Sequence, residues 1–156
     1  MKNRIFIGEF VGSAFLVMII VGSGIMAQNL TRDFAVMLLA NTLATGAGLF
    51  VLINSIADIS GAHFNPAVTM VMYFTKKIKK DLIVTYLSAQ ILGCLLGVML
   101  ANFMFELPLI ELSKKVRPGF NIFIAELIAT FGLIFIIFGT LKKGSTSVAA
   151  SVATYI

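Results

Sequence analysis

A polar, proline-containing stretch, Ser60-Gly61-Ala62-His63-Phe64-Asn65-Pro66-Ala67-Val68-Thr69, interrupts a chain that is otherwise written for lipid. Backbone that stops being helical at membrane depth leaves amide and carbonyl groups that hydrocarbon cannot satisfy. Such a segment persists only where it is buried in protein or faces water. Pro66 suits the first position of a helix, where no amide hydrogen is needed and its fixed φ already fits. Asn65 just before it either caps that helix or turns its amide toward a solute at the positive end of the helix dipole. The stretch therefore reads as a half-helix that dips into the membrane.

Hydrophobic residues make up 59% of the chain and charged residues 12%, about half the charge of an ordinary soluble domain. Four apolar segments, residues 5–27, 34–56, 82–105 and 120–141, are each near the roughly 20 residues a spanning helix needs. A fifth starts near Ser147, and the chain stops at Ile156, about ten residues in, short of a crossing at roughly 1.5 Å per residue. The sequence reads as one membrane domain over residues 1–156, cut off in its fifth span. A piece of a longer protein or a disrupted gene is expected over a half-channel that assembles in trans.

Lys2 and Arg4 precede a run longer than the apolar core of a secretory signal, with no small-residue cleavage site after it, so it reads as a retained span. If the spans alternate and the Asn65 segment re-enters, Lys2, Arg4, Lys76, Lys77, Lys79, Lys80, Lys142 and Lys143 share one side. That side is expected to be cytoplasmic. Arg32, Lys114, Lys115 and Arg117 fall opposite, near Asp33, Glu106 and Glu111. The net charge of +5 thus reads as topology, with a weak case for anionic lipid and none for nucleic acid. Cys94 is single and lies in a span, which points to packing. No Cys/His cluster, phosphate loop or nucleophile elbow is present, so no cofactor, metal or catalytic residue is expected.

An acid within a span is costly and marks a functional or bracing position unless it snorkels to the surface. Glu9 and Glu126 are such acids, and the segments around them repeat. Glu9-Phe10-Val11-Gly12-Ser13-Ala14-Phe15-Leu16 aligns with Glu126-Leu127-Ile128-Ala129-Thr130-Phe131-Gly132-Leu133, with acid, hydroxyl and leucine in register. The second copy opens the fourth span, three spans on from the first with the re-entrant loop between them, which gives an inverted repeat of the kind that builds a site at a pseudo-two-fold interface. Gly8/Gly12 and Gly93/Gly97 have small-xxx-small spacing, read as close helix crossings, and Gln90 reads as a bridge between helices or to the loop. Asn29-Leu30-Thr31 has the glycosylation pattern, which carries little weight.

Residues 60–69, together with Glu9-Phe10-x-Gly12, Ala89-Gln90-x-x-Gly93 and Glu126, resemble the major intrinsic protein family, the aquaporins and aquaglyceroporins. The resemblance runs along the whole chain. It implies an all-α bundle of six tilted helices and two half-helices, of which about four and a half spans are here, usually assembled as a homotetramer with one pore per subunit. It implies passive transport and no enzyme activity. Asn65 would be the first of two asparagines that orient the permeating molecule at mid-membrane, and Pro66 and Ala67 would stack on their counterparts from a second loop. The carbonyls of Gly61, Ala62, His63 and Phe64 would form a polar track, with His63 contributing chiefly its backbone. Glu9, Gln90 and Glu126 would brace the loops. One position departs from the pattern. Counting back from Asn65, a bulky aromatic of the outer constriction is replaced by Thr45, so a wider, more polar ring is expected. It would admit glycerol, urea, ammonia or metalloid hydroxides such as arsenous acid besides water.

Two other classes compete with a channel in the cell membrane. A non-conducting scaffold or inactive remnant on the same fold would give no solute flux. An ion-coupled transporter working through Glu9 and Glu126 would need an ion gradient. The short loops suggest a prokaryotic inner membrane with a cytoplasmic N-terminus.

Overall fold

The computed structural model describes residues 1–111 and 118–156. Helix α1 (Lys2–Leu30) is followed by α2 (Phe34–Ser60), the half-helix α3 (Pro66–Phe74), α4 (Ile83–Met104), α5 (Phe120–Thr140) and α6 (Ser145–Tyr155). Single 3-10 turns lead into α4 (Lys80–Leu82) and out of α5 (Leu141–Lys143). Four of these helical stretches are long and apolar enough to cross a membrane. By contrast α3, with nine residues, extends only about 14 Å at 1.5 Å per residue, half of the roughly 30 Å hydrocarbon layer. Lys114, Lys115 and Arg117, assigned above with Arg32 to the side opposite Lys2 and the Lys76 to Lys80 cluster, lie outside the described residues.

The helix boundaries follow local chemistry. Asp33 caps α2 by accepting from Ala35 N at 2.8 Å and Val36 N at 3.2 Å, which satisfies two of the amides a helix start leaves free. At its other end α2 runs a turn beyond the apolar segment. Gly61 takes up φ +90° and donates its N–H to Ala57 O at 2.8 Å, the left-handed stop that glycine adopts without penalty.

Helices α1 and α4 form the tightest pair. A Cβ on Gly93 would land on the carbonyl oxygen of Phe10, and one on Gly97 on that of Ala14. Glycine at these two positions lets one backbone lie directly on the other, as expected of a small-residue crossing. The pair Gly8/Gly12 serves a different neighbour. A Cβ on Gly8 would sit 3.0 Å from Ser60 Cβ, and one on Gly12 would fall inside the Phe64 ring. That stripe makes room for the re-entrant loop, so the spacing was a helix-crossing signal for only one of the two pairs.

Leu49, Ile53 and Ile56 of α2, Phe64 of the loop, Val68 and Met72 of α3, Ile137 of α5, and Ala149 and Val152 of α6 form one buried apolar cluster. Outward faces carry Leu38, Leu39, Leu43, Val84, Phe131 and Phe135, all more than half exposed. In water this would be prohibitive, whereas in a bilayer it is the expected exterior, since lipid tails are as apolar as leucine.

Candidate functional site

Five residues, Gly61 to Asn65, connect α2 to α3, and they do so under strain. Gly61, Ala62 and Phe64 have φ of 90°, 49° and 47°, a left-handed region that costs about 1 kcal/mol or more for residues with a side chain. The loop holds this shape because one buried carboxylate gathers its donors. Glu9 is fully buried. Its Oε1 accepts from Ser60 Oγ at 2.7 Å and His63 N at 3.0 Å, and its Oε2 from Phe64 N at 2.9 Å and Gln90 Nε2 at 2.8 Å. Four donors match the four lone-pair sites of an ionised carboxylate, and charge-assisted bonds of this kind are about twice as strong as neutral ones. The cost of burying an acid in the span is offset by hydrogen bonds to the acid itself.

A second ring of contacts surrounds that centre. The Tyr86 hydroxyl donates to Ser60 O, and the Tyr86 ring stacks on His63 with centroids 4.4 Å apart. Ala62 N donates to Ser60 Oγ at 3.1 Å. Buried Thr69 lies within 3.1 Å of His63 Nδ1 and 3.0 Å of Gln90 Nε2. Tyr86 escaped the sequence reading, and Thr69 entered it only as the end of the polar stretch, although a periodicity signal was there: each sits four residues, one helical turn, from Gln90 and Asn65 respectively.

With the loop's amides turned inward, its carbonyls are left over. Among the described residues, none of the carbonyl oxygens of Gly61, Ala62, His63 and Phe64 accepts a hydrogen bond. These residues and Asn65 edge a cavity of about 140 Å³ whose other walls are apolar, among them Leu16, Ile53, Val68, Leu133, Ile137 and Val152. That volume holds several water-sized molecules. Asn65 takes the first of the two roles its position allowed. Its Oδ1 caps α3, accepting from Ala67 N at 2.8 Å and Val68 N at 3.4 Å, while its Nδ2 has no partner among the described residues. Pro66 occupies the first helical position and Ala67 the next. Asn65→Ala is expected to cost about 0.5–2 kcal/mol through the lost cap, and Asn65→Asp, which keeps Oδ1, clearly less. Thermal unfolding of the two variants side by side checks this.

Other anticipated residues lie elsewhere. Glu126 stands on an exposed face of α5 with no hydrogen bond among the described residues, apart from the cluster that Glu9 and Gln90 build. Thr45 is buried on α2, its hydroxyl unpartnered, one turn beyond the cavity residue Leu49 toward the Phe34 end. Among the described residues no group of three or more His, Cys, Asp or Glu side chains is placed to share a metal ion.

A half-helix and a span held together by one carboxylate, with free carbonyls on an apolar groove, is an arrangement with known relatives. The sequence profile described as Major intrinsic protein matches residues 1–156. The chain belongs to the major intrinsic protein family. It is 41% identical over 150 residues to the aquaglyceroporin AqpS of Rhizobium meliloti (strain 1021), covering 96% of this chain and 64% of that protein. It is 36% identical over 140 residues to aquaporin NIP3-1 of Arabidopsis thaliana, covering 84% and 43%. This major intrinsic protein thus spans less than two thirds of the length of these curated relatives. The X-ray structure of the aquaglyceroporin from Plasmodium falciparum superposes with a TM-score of 0.83, at 24% identity, over 99% of this chain and 70% of that one. The two share a fold. Within it, the family's all-α bundle with a re-entrant half-helix is the architecture described above.

Proposed function

We propose that this chain forms part of a passive membrane channel for water and small uncharged solutes, working without catalysis. The observation that carries the reading is the division of labour in residues 61–64: the Gly61 amide closes α2 on Ala57 O and the next three turn to Ser60 and Glu9, while four carbonyl acceptors stay free on residues that edge an apolar groove. A one-sided ladder of acceptors replaces the hydrogen bonds a small neutral molecule gives up on entering, and the apolar wall opposite offers nothing to hold it. Asn65 adds a donor, its Nδ2, at the same edge. The positive end of α3 points its dipole at the groove and disfavours cations.

Thr45 bears on which solutes pass. A small hydroxyl residue where the family pattern implies an aromatic would leave a wider ring with a free hydrogen-bonding group. Glycerol, urea, ammonia and metalloid hydroxides such as arsenous acid are the candidate cargo besides water. The aquaglyceroporin name of the Rhizobium relative agrees with a pore broader than a water filter. In proteoliposomes, Thr45→Phe is expected to lower glycerol and arsenite entry severalfold while sparing water more. Equal entry by parent and variant would contradict the assignment. The working unit is taken to be a homotetramer in the cell membrane, with the N-terminus and the Lys76 to Lys80 turn on the cytoplasmic side; the bacterial source of that relative supports a prokaryotic inner membrane.

A further inference from the structure

The hydrogen bonds around Thr69 bear on which nitrogen of His63 carries its proton. Glu9 only accepts, so the Gln90 atom 2.8 Å from its Oε2 is the amide nitrogen. The second hydrogen of that nitrogen goes to Thr69 Oγ1 at 3.0 Å. Thr69 Oγ1 also lies 3.2 Å from the carbonyl oxygen of Asn65, which only accepts and so offers the single hydroxyl proton a partner. Asn65 O has lone pairs for both this bond and the helical one from Thr69 N at 3.1 Å. One lone pair of Thr69 then remains, and the ring atom that meets it is His63 Nδ1 at 3.1 Å.

We infer that Thr69 is a positioning residue whose hydroxyl holds His63 in the Nδ1–H tautomer, so that the ring offers its bare Nε2 as an acceptor. The stack on Tyr86 fixes the plane of the ring, and Nε2 is left without a partner among the described residues, on a residue that borders the cavity. If the groove conducts neutral solutes as proposed above, Nε2 extends the row of carbonyl acceptors by one more site, suited to an O–H or N–H donor.

His63 is the one histidine in this sequence, which makes its ring directly readable. The experiment is nitrogen NMR of the full-length protein, labelled at histidine and reconstituted in bilayers at neutral pH, with His63→Gln identifying the signals. The expected spectrum has a protonated Nδ1 and an unprotonated Nε2. Thr69→Val, which keeps shape and loses the hydroxyl, should move the tautomer ratio about fivefold or more toward Nε2–H, the effect of one hydrogen bond, and Thr69→Ser should restore it. A parent ring protonated at Nε2, or at both nitrogens, overturns the inference, as does a ratio that Thr69→Val leaves unchanged. If Thr69→Val fails to fold, the parent and Thr69→Ser spectra decide. Solute flux is measured separately: no flux with the expected tautomer would sink the channel reading alone, and flux with the wrong tautomer would sink this one alone.

Discussion

Glu9→Leu is expected to remove the protein from the folded pool. The substitution strands Ser60 Oγ, His63 N, Phe64 N and Gln90 Nε2 in a dry interior, each of which now donates to the carboxylate. An unsatisfied buried donor costs about 1–3 kcal/mol, so several together approach the entire stability of a typical domain, roughly 5–15 kcal/mol. The left-handed residues Ala62 and Phe64 would also lose what holds them there. Glu9→Gln keeps one acceptor oxygen but sets an amide nitrogen against the other donors, so its loss should be smaller and still large. Yield of monodisperse protein and thermal unfolding in detergent measure both. A Glu9→Leu protein that melts within a degree or two of the parent would show that the loop is held by something else.

The second large effect concerns the α1–α4 crossing. Gly93→Ala drives a methyl group into the Phe10 carbonyl oxygen, and since the obstacle is backbone, neither helix has a side chain to move aside. Overpacking of this kind costs about 1–3 kcal/mol. Gly97→Ala meets the Ala14 carbonyl in the same way, and because both push the same helix outward, the double variant should depart from additivity. Gly139 supplies the control. It is helical, with nothing within 4 Å of an added Cβ, and alanine there should be neutral or stabilising by about 0.5–1 kcal/mol. Unfolding midpoints ordered Gly139→Ala, parent, Gly93→Ala from highest to lowest support this packing, and a Gly93→Ala midpoint at or above the parent's contradicts it.

How much was legible in the sequence differs residue by residue. The spans were legible because apolar length is a direct consequence of membrane thickness. The half-helix was legible because Asn65 and Pro66 are a cap and a first-turn residue placed where lipid tolerates neither a loop nor a free amide. Glu9 drew attention as an acid in a span, yet nothing in its own neighbourhood says that donors from α2, the loop and α4 converge on it. Those partners lie 51 to 81 residues away. Glu126 has the same local pattern and an exposed carboxylate, since burial is decided by which element packs alongside and a periodic pattern does not name that element. Gly8/Gly12 and Gly93/Gly97 likewise share one spacing and meet different things, a loop in one case and a helix in the other.

The most direct test is a shrinkage and current measurement on proteoliposomes carrying the full-length protein, verified as folded. The account expects osmotic water flow and glycerol entry well above protein-free liposomes, with no ionic current and no dependence on voltage or on a proton gradient. Rates equal to those of empty liposomes, or uptake that requires an ion gradient, would contradict it.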